Sequence, residues 1–243
     1  MKIAAIKEKL HRLAKTFSIP KIDTKVMVIT ALFCAIAYVC VFVFRIHVAF
    51  LTFDAKDAFI AVCSLLYGPV SGIIVSATVS VLEFLTVSST GVYGLIMNVL
   101  STLSFVLPSA IIYKFKKTST GAIFGLLSGV CVMTAVMVAA NLLITPFYMG
   151  ADVNQVIGLL LPLIVPFNFT KAVLNASLTM LMYKPIVNAL RKAKLVPHSG
   201  NADYKLNKKT VIITICSVIL IALAVIVLIL AMNGTFNLYR NTT

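Results

Sequence analysis

Ala58-Phe-Ile-Ala-Val-Cys-Ser-Leu-Leu-Tyr67, followed at once by Gly68-Pro69, is the stretch on which the topology turns. Ten helical residues rise about 15 Å, half of a hydrocarbon core of about 30 Å. Length alone therefore argues against a crossing here, and charge argues for one. Beyond the next two apolar runs, 69–87 and 93–113, lies the cluster Lys114, Lys116 and Lys117. If 58–67 did not carry the chain back across the bilayer, that cluster would lie opposite the other basic segments, against the preference of cytoplasmic loops for Lys and Arg. The segment is read as a short, embedded crossing, broken at Gly68-Pro69, where proline lacks the N–H that would continue a helix.

Around it lie longer runs of the same kind, at 26–44, 69–87, 93–113, 121–147, 161–190 and 210–232. The chain of 243 residues is 60% hydrophobic and 12% charged, with a mean hydropathy of +1.05, whereas ordinary soluble domains are about 45–50% apolar. Such runs satisfy their backbone groups internally as helices when water is excluded. The expected fold class is an all-α membrane protein with six bundled helices and one additional C-terminal transmembrane helix. Little chain is left for a soluble domain, so any activity belongs to the bundle. The expected division is a basic cytoplasmic segment 1–25, a membrane domain 26–196, a cytoplasmic linker 197–209, the extra helix 210–232 and an external tail 233–243. The first 25 residues lack the short apolar core and small-residue cleavage site of a secretory signal and are read as mature protein.

Seventeen Lys and Arg residues fall before 26, at 114–117 and between 184 and 209, all on one side of this arrangement, whereas Arg45, Lys56 and Arg240 fall on the other. The positive-inside rule then puts the N-terminus in the cytoplasm and the C-terminus outside. The net charge of +14 suits attraction of the cytoplasmic face to anionic lipid. No basic groove interleaved with aromatics points to nucleic acid. Cys34, Cys40, Cys63, Cys131 and Cys216 lie in apolar runs without CxxC spacing, and His11, His47 and His198 are scattered. Neither a disulfide framework nor a metal site is expected.

The few polar side chains inside the runs gather toward one membrane face. At about 1.5 Å per residue, Asn141 lies about 9 Å, Asn168 about 10 Å and Lys171 about 15 Å from the outer ends of their helices, and Glu83 and Asn98 about 6–8 Å from theirs. Asn168, Lys171 and Asn175 are spaced i, i+3, i+7 and share one helix face, as residues lining a cavity do. Two plainer readings stand beside this: amides that hold helices together, and an ion pair between Lys171 and Glu83, the one acidic side chain expected within the bundle. The loop Arg45–Asp57, with its aromatics, charges and Thr52, suits a lid on that side. The turn Ser88–Gly94 is compact, and Phe53, Tyr93, Phe147, Tyr148 and Phe167 supply rings at the same level. Several amides, one ammonium and aromatics fit a planar, partly apolar solute with an edge of alternating donors and acceptors. They fit an inorganic ion poorly.

Particular strings carry a resemblance. Leu51-Thr-Phe-Asp-Ala-Lys-Asp57, Leu66-Tyr-Gly-Pro-Val-Ser-Gly72, Gly91-Val-Tyr-Gly-Leu-Ile-Met-Asn98, Asn141-Leu-Leu-Ile-Thr-Pro-Phe-Tyr148, Pro166-Phe-Asn-Phe-Thr-Lys171 and Tyr183-Lys-Pro-Ile-Val187, in that order, resemble the riboflavin-specific S components of energy-coupling-factor (ECF) transporters. The resemblance spans about 26–196. It implies a six-helix subunit of the cell membrane that binds riboflavin outside and is toppled by a T component driven by two cytoplasmic ATPases. It also implies that Asn141, Asn168 and Lys171 hydrogen-bond the flavin ring, and that the 51–57 loop, with Leu51 and Thr52, closes over the site. Glu83 and Asn98 join the candidate site from their depth alone. Ala31-x-x-x-Ala35 looks like the family's small-residue docking surface for the T component, although such spacing also serves ordinary helix packing. The run Val211–Met232 departs from the six-helix family core.

Riboflavin is thus expected as transported ligand, with no cofactor, and ATP is left to partner subunits because the chain has no GxxxxGK[ST] phosphate loop. Alternatives are an S component for another vitamin or for flavin mononucleotide, or a stand-alone secondary transporter. The last lacks its usual signs, paired broken helices and a chain of intramembrane acids. A membrane enzyme would need a paired acid and base or a Ser/His arrangement, and none is found.

Overall fold

The computed structural model describes residues 24–193 apart from 49 and 151, position 195, and isolated positions between 212 and 229. The expected segments 197–209 and 233–243, and residues 1–23 of the basic segment, lie outside the described residues. So does most of 210–232, where isolated positions such as Ile215 and Ile219 are exposed.

Helix α1 spans Thr24–Val43 and leads into a hairpin of β1, Ile46–Val48, and β2, Leu51–Phe53. Then follow α2 (Lys56–Tyr67), α3 (Pro69–Thr86), α4 (Gly91–Phe115) and α5 (Ser119–Met149). Helix α6 (Val153–Leu159) continues through one π-helical turn, Leu160–Ile164, into α7 (Val165–Lys192). Helices α1, α3, α4, α5 and the continuous 153–192 unit are long and apolar enough to cross a membrane, and α2 is the short sixth member of the bundle.

Packing accounts for the brevity of α2. Ile60, Ala61, Val62 and Cys63 are each at most 1% exposed, because α1, α3, α4 and α7 surround the helix. A helix enclosed by protein needs no hydrocarbon-length span. It breaks at Gly68, whose φ of 98° favours glycine, and Pro69 opens α3. Helix α1 meets this core with Ile29, Phe33, Ala37 and Val41, one face at i, i+4 spacing, and turns Met27, Val28 and Val39 outward. The closest approach is between α4 and α5. A Cβ on Gly125 would lie 2.7 Å from the Ser109 carbonyl oxygen, and one on Gly129 would lie 2.5 Å from that of Phe105. Small residues at four-residue spacing let two membrane helices pack backbone to backbone.

Two expectations change. The loop before α2 is partly a two-stranded antiparallel hairpin, pairing Ile46 with Phe53, His47 with Thr52 and Val48 with Leu51. Val48, Leu51 and Phe53 are buried against Leu163, Phe167 and Leu174, so the bundle is helical with one short exception to all-α. The last described helical unit also starts at Val153 rather than 161. Its first turns carry the polar Asn154 and Gln155, which mask them in an apolar scan. Pro162 and Pro166 withhold two N–H groups, and the ladder widens to a π turn between those first turns and α7.

Candidate ligand-binding site

The hairpin end of the bundle holds a cavity open at its mouth, lined by both polar and apolar side chains. The hairpin contributes Leu51 and Thr52, α3 Glu83, α4 Asn98, α5 Asn141, and α7 Asn168 and Lys171. These seven residues therefore line one space, although they come from five elements, whereas Asn175, expected on the same face of α7, does not line it.

Within it the amides hold to their own helices. Asn141 Nδ2 donates to the Met137 carbonyl at 2.7 Å, its Oδ1 accepts from Thr145 Oγ1 at 2.9 Å, and Asn168 Nδ2 donates to the Ile164 carbonyl at 2.8 Å. These bonds satisfy part of each amide's capacity and fix its orientation, leaving further lone pairs and N–H groups for a ligand. Of the five rings expected at this level, Tyr93, Tyr148 and Phe167 line the cavity. Phe53 is buried edge-to-face on Phe167, with centroids 6.3 Å apart, and Phe147 points outward at 75% exposure.

The charges depart furthest from expectation. Lys56, assigned to an external loop, is fully buried at the start of α2, and Asp54 and Asp57 are no more than 1% exposed. Glu83 is therefore not the one acid in the bundle. Lys171 Nζ donates to Asp54 Oδ2 at 2.9 Å and to the Thr52 carbonyl at 3.4 Å, while Glu83 pairs with Lys56. The suggested Lys171–Glu83 pair is replaced by two others. A second contact joins them, since Asp54 Oδ2 lies 3.9 Å from Lys56 Nζ, and Asp57 accepts from Thr102 Oγ1 at 2.6 Å. Charges this deep are stabilised by pairing and hydrogen bonding, and here ion pairs tie Lys56 to α3 and Asp54 to α7 while a hydroxyl ties Asp57 to α4.

Asn175 belongs to this tie rather than to the cavity wall. Its Nδ2 donates to the Asp54 and Lys171 carbonyls at 3.2 and 3.0 Å, and its Oδ1 accepts the Ala58 N–H at 3.0 Å. Asp54, Lys56 and Asp57 were missed because mixed charges beside an apolar run read as solvated loop. The available signal was their abutment on a helix too short to reach water at both ends. Arg45, Met97, Met137 and Ser101 also line the cavity without having been singled out. Ala31 and Ala35 are exposed on α1.

A helical membrane bundle with an amphipathic cavity at one end, walled by amides and a paired ammonium, is an architecture suited to capturing a small solute. Residues 25–183 match the family model described as the substrate-specific component of ECF transporters, and the chain belongs to that family of transport subunits, which are not enzymes. It is 29% identical over 180 residues to the riboflavin transporter RibU of Staphylococcus aureus (strain TCH60), covering 70% of this chain and 94% of that protein. It is 28% identical over 186 residues to the riboflavin transporter FmnP of Bacillus subtilis (strain 168), covering 70% and 98%. A solved structure described as the S component of a bacterial ECF transporter superposes with a TM-score of 0.60 at 30% identity, covering 69% of this chain and 98% of that one. The protein is a multi-pass membrane protein.

Proposed function

We propose that this S component captures riboflavin in the cavity at the hairpin end, with that end facing the exterior, and passes it inward through an ATP-driven complex with a T component and two cytoplasmic ATPases. The observation that carries the reading is the convergence of Asn141, Asn168 and Lys171 with Tyr93, Tyr148 and Phe167 on one cavity. A flavin ring has apolar faces that stack on aromatics and one edge of carbonyls and ring nitrogens that amides and an ammonium can hydrogen-bond. The names of the two relatives support the same solute.

Leu51 and Thr52 form the hairpin rim over the ring, Glu83 and Asn98 complete the polar wall, and Ala31 and Ala35 offer the smooth face on which the T component docks. The basic segments face the cytoplasm and its anionic lipid. Isothermal titration of riboflavin into the purified, flavin-depleted chain tests the reading directly. Saturable binding with quenched flavin fluorescence is expected. Asn168→Ala is expected to weaken it about tenfold or more, the cost of one or two hydrogen bonds in a desolvated site. Absence of binding, or equal affinity in Asn168→Ala and Lys171→Ala, would overturn it.

A further inference from the structure

On α4 the cavity-lining residues run Tyr93, Gly94, Met97, Asn98 and Ser101, so Ser101 is the deepest of them, about 15 Å along the axis from Gly91. Met137, about 18 Å from the same end of α5, also lines the cavity. Ser101 is 4% exposed, and its hydroxyl has no hydrogen-bond partner. Serine and threonine in apolar helices commonly donate back to the carbonyl four residues earlier. Ser109 does so to Phe105 at 2.7 Å and Thr179 to Asn175 at 2.7 Å, whereas Ser101 does not. Among the described cavity-lining residues it is the one buried hydroxyl left unpaired. Its neighbour Thr102 is held by Asp57, which fixes the register of α4 at this point and aims Ser101 without its own participation.

A buried hydroxyl kept unpaired at the floor of a binding cavity lowers stability unless a ligand completes it. We infer that Ser101 is a ligand contact, its hydroxyl hydrogen-bonding the carbonyl- and imide-bearing edge of the flavin ring at the bottom of the cavity and thereby setting how deeply the ring is seated. The inference rests on the riboflavin reading above. A hydroxyl both donates and accepts, so it selects a ring edge with heteroatoms over an apolar edge of similar shape.

The test is titration of riboflavin, and of lumiflavin, which has the same ring without the sugar-alcohol tail, into the purified full chain, into Ser101→Ala and into Asn168→Ala. Thermal melting of the ligand-free proteins in detergent runs alongside. Ser101→Ala is expected to bind both flavins about tenfold more weakly. Without ligand it should melt at or above the wild-type temperature, because an unpaired buried group has been removed. A serine with a purely structural role would lower that melting temperature and leave affinity unchanged, which overturns the inference. Loss confined to riboflavin also overturns it, since the contact would then be to the tail. Unchanged binding in Ser101→Ala with weakened binding in Asn168→Ala removes this contact and spares the riboflavin reading. Failure of the wild-type chain to bind either flavin removes both.

Discussion

At Lys171 one ammonium faces the cavity and also neutralises Asp54 at 2.9 Å. The two tasks respond differently to substitution. Lys171→Met removes the close ammonium partner of the buried Asp54 carboxylate, leaving Lys56 Nζ at 3.9 Å as its remaining ion-pair contact, and breaking a buried pair by removing one partner costs about 3–5 kcal/mol. A clear fall in detergent melting temperature is expected, together with loss of flavin affinity. Adding Asp54→Asn removes the stranded charge. The double variant should recover most of the melting temperature but not the affinity, and recovery of both would show that Lys171 acts only through Asp54. Asn168 bonds within its own helix, so Asn168→Ala should shift stability by less than about 1.5 kcal/mol while weakening binding. Asn141, Asn168 and Lys171 were legible in the sequence because a polar side chain inside an apolar run has no water to meet and must meet something else. Asp54, Lys56 and Asp57 were not. They stand at the edge of a run, where a solvated loop and a buried ion cluster read alike, and only the helices packed over them separate the two.

The junction between the hairpin and α2 is anchored to α3 and α7, by the ion pairs of Asp54 and Lys56 and by the two hydrogen bonds that Asn175 makes to Asp54 and Ala58. The helix expected at 58–67 is present as Lys56–Tyr67, and its burial, which explains its length, follows from contacts with four other helices. The hairpin was illegible because three-residue strands carry too few alternations to register as a period. The α4–α5 contact offers a test at this scale. A Cβ on Gly129 meets the Phe105 carbonyl oxygen at 2.5 Å, a rigid backbone atom that cannot rotate away. Gly129→Leu should force these helices apart and destabilise the bundle by about 1–3 kcal/mol or more. This would be seen as a lower detergent melting temperature, whereas Gly158→Ala, whose Cβ meets nothing within 4 Å, should melt near wild type. The four-residue spacing of Gly125 and Gly129 does not by itself name the helix they meet, because spacing says that a close approach exists and not with what.

For the whole molecule, transport requires two surfaces at once, a cavity for the solute and a smooth flank for the partner. Ala31 and Ala35 are exposed on α1, away from the cavity lining. Ala31→Phe is therefore expected to leave flavin affinity within about twofold of wild type, because an exposed residue outside the cavity lining acts on it weakly. It should reduce ATP-dependent flavin uptake in proteoliposomes holding the complete complex at least tenfold, and uptake at the normal rate would refute the docking assignment. Membrane residence, the succession of helices between 24 and 192 and the gathering of polar groups into one region were readable from the amino-acid order alone. They depend on local hydrophobicity and charge, which bilayer insertion reads residue by residue. Tertiary structure alone decided which charges pair, that Asn175 braces the loop instead of facing the cavity, and that Ser101 is left with an unpaired hydroxyl at the floor. The physical reason is that burial and pairing are properties of the neighbours brought to a residue by other helices, and no stretch of chain carries that information about itself.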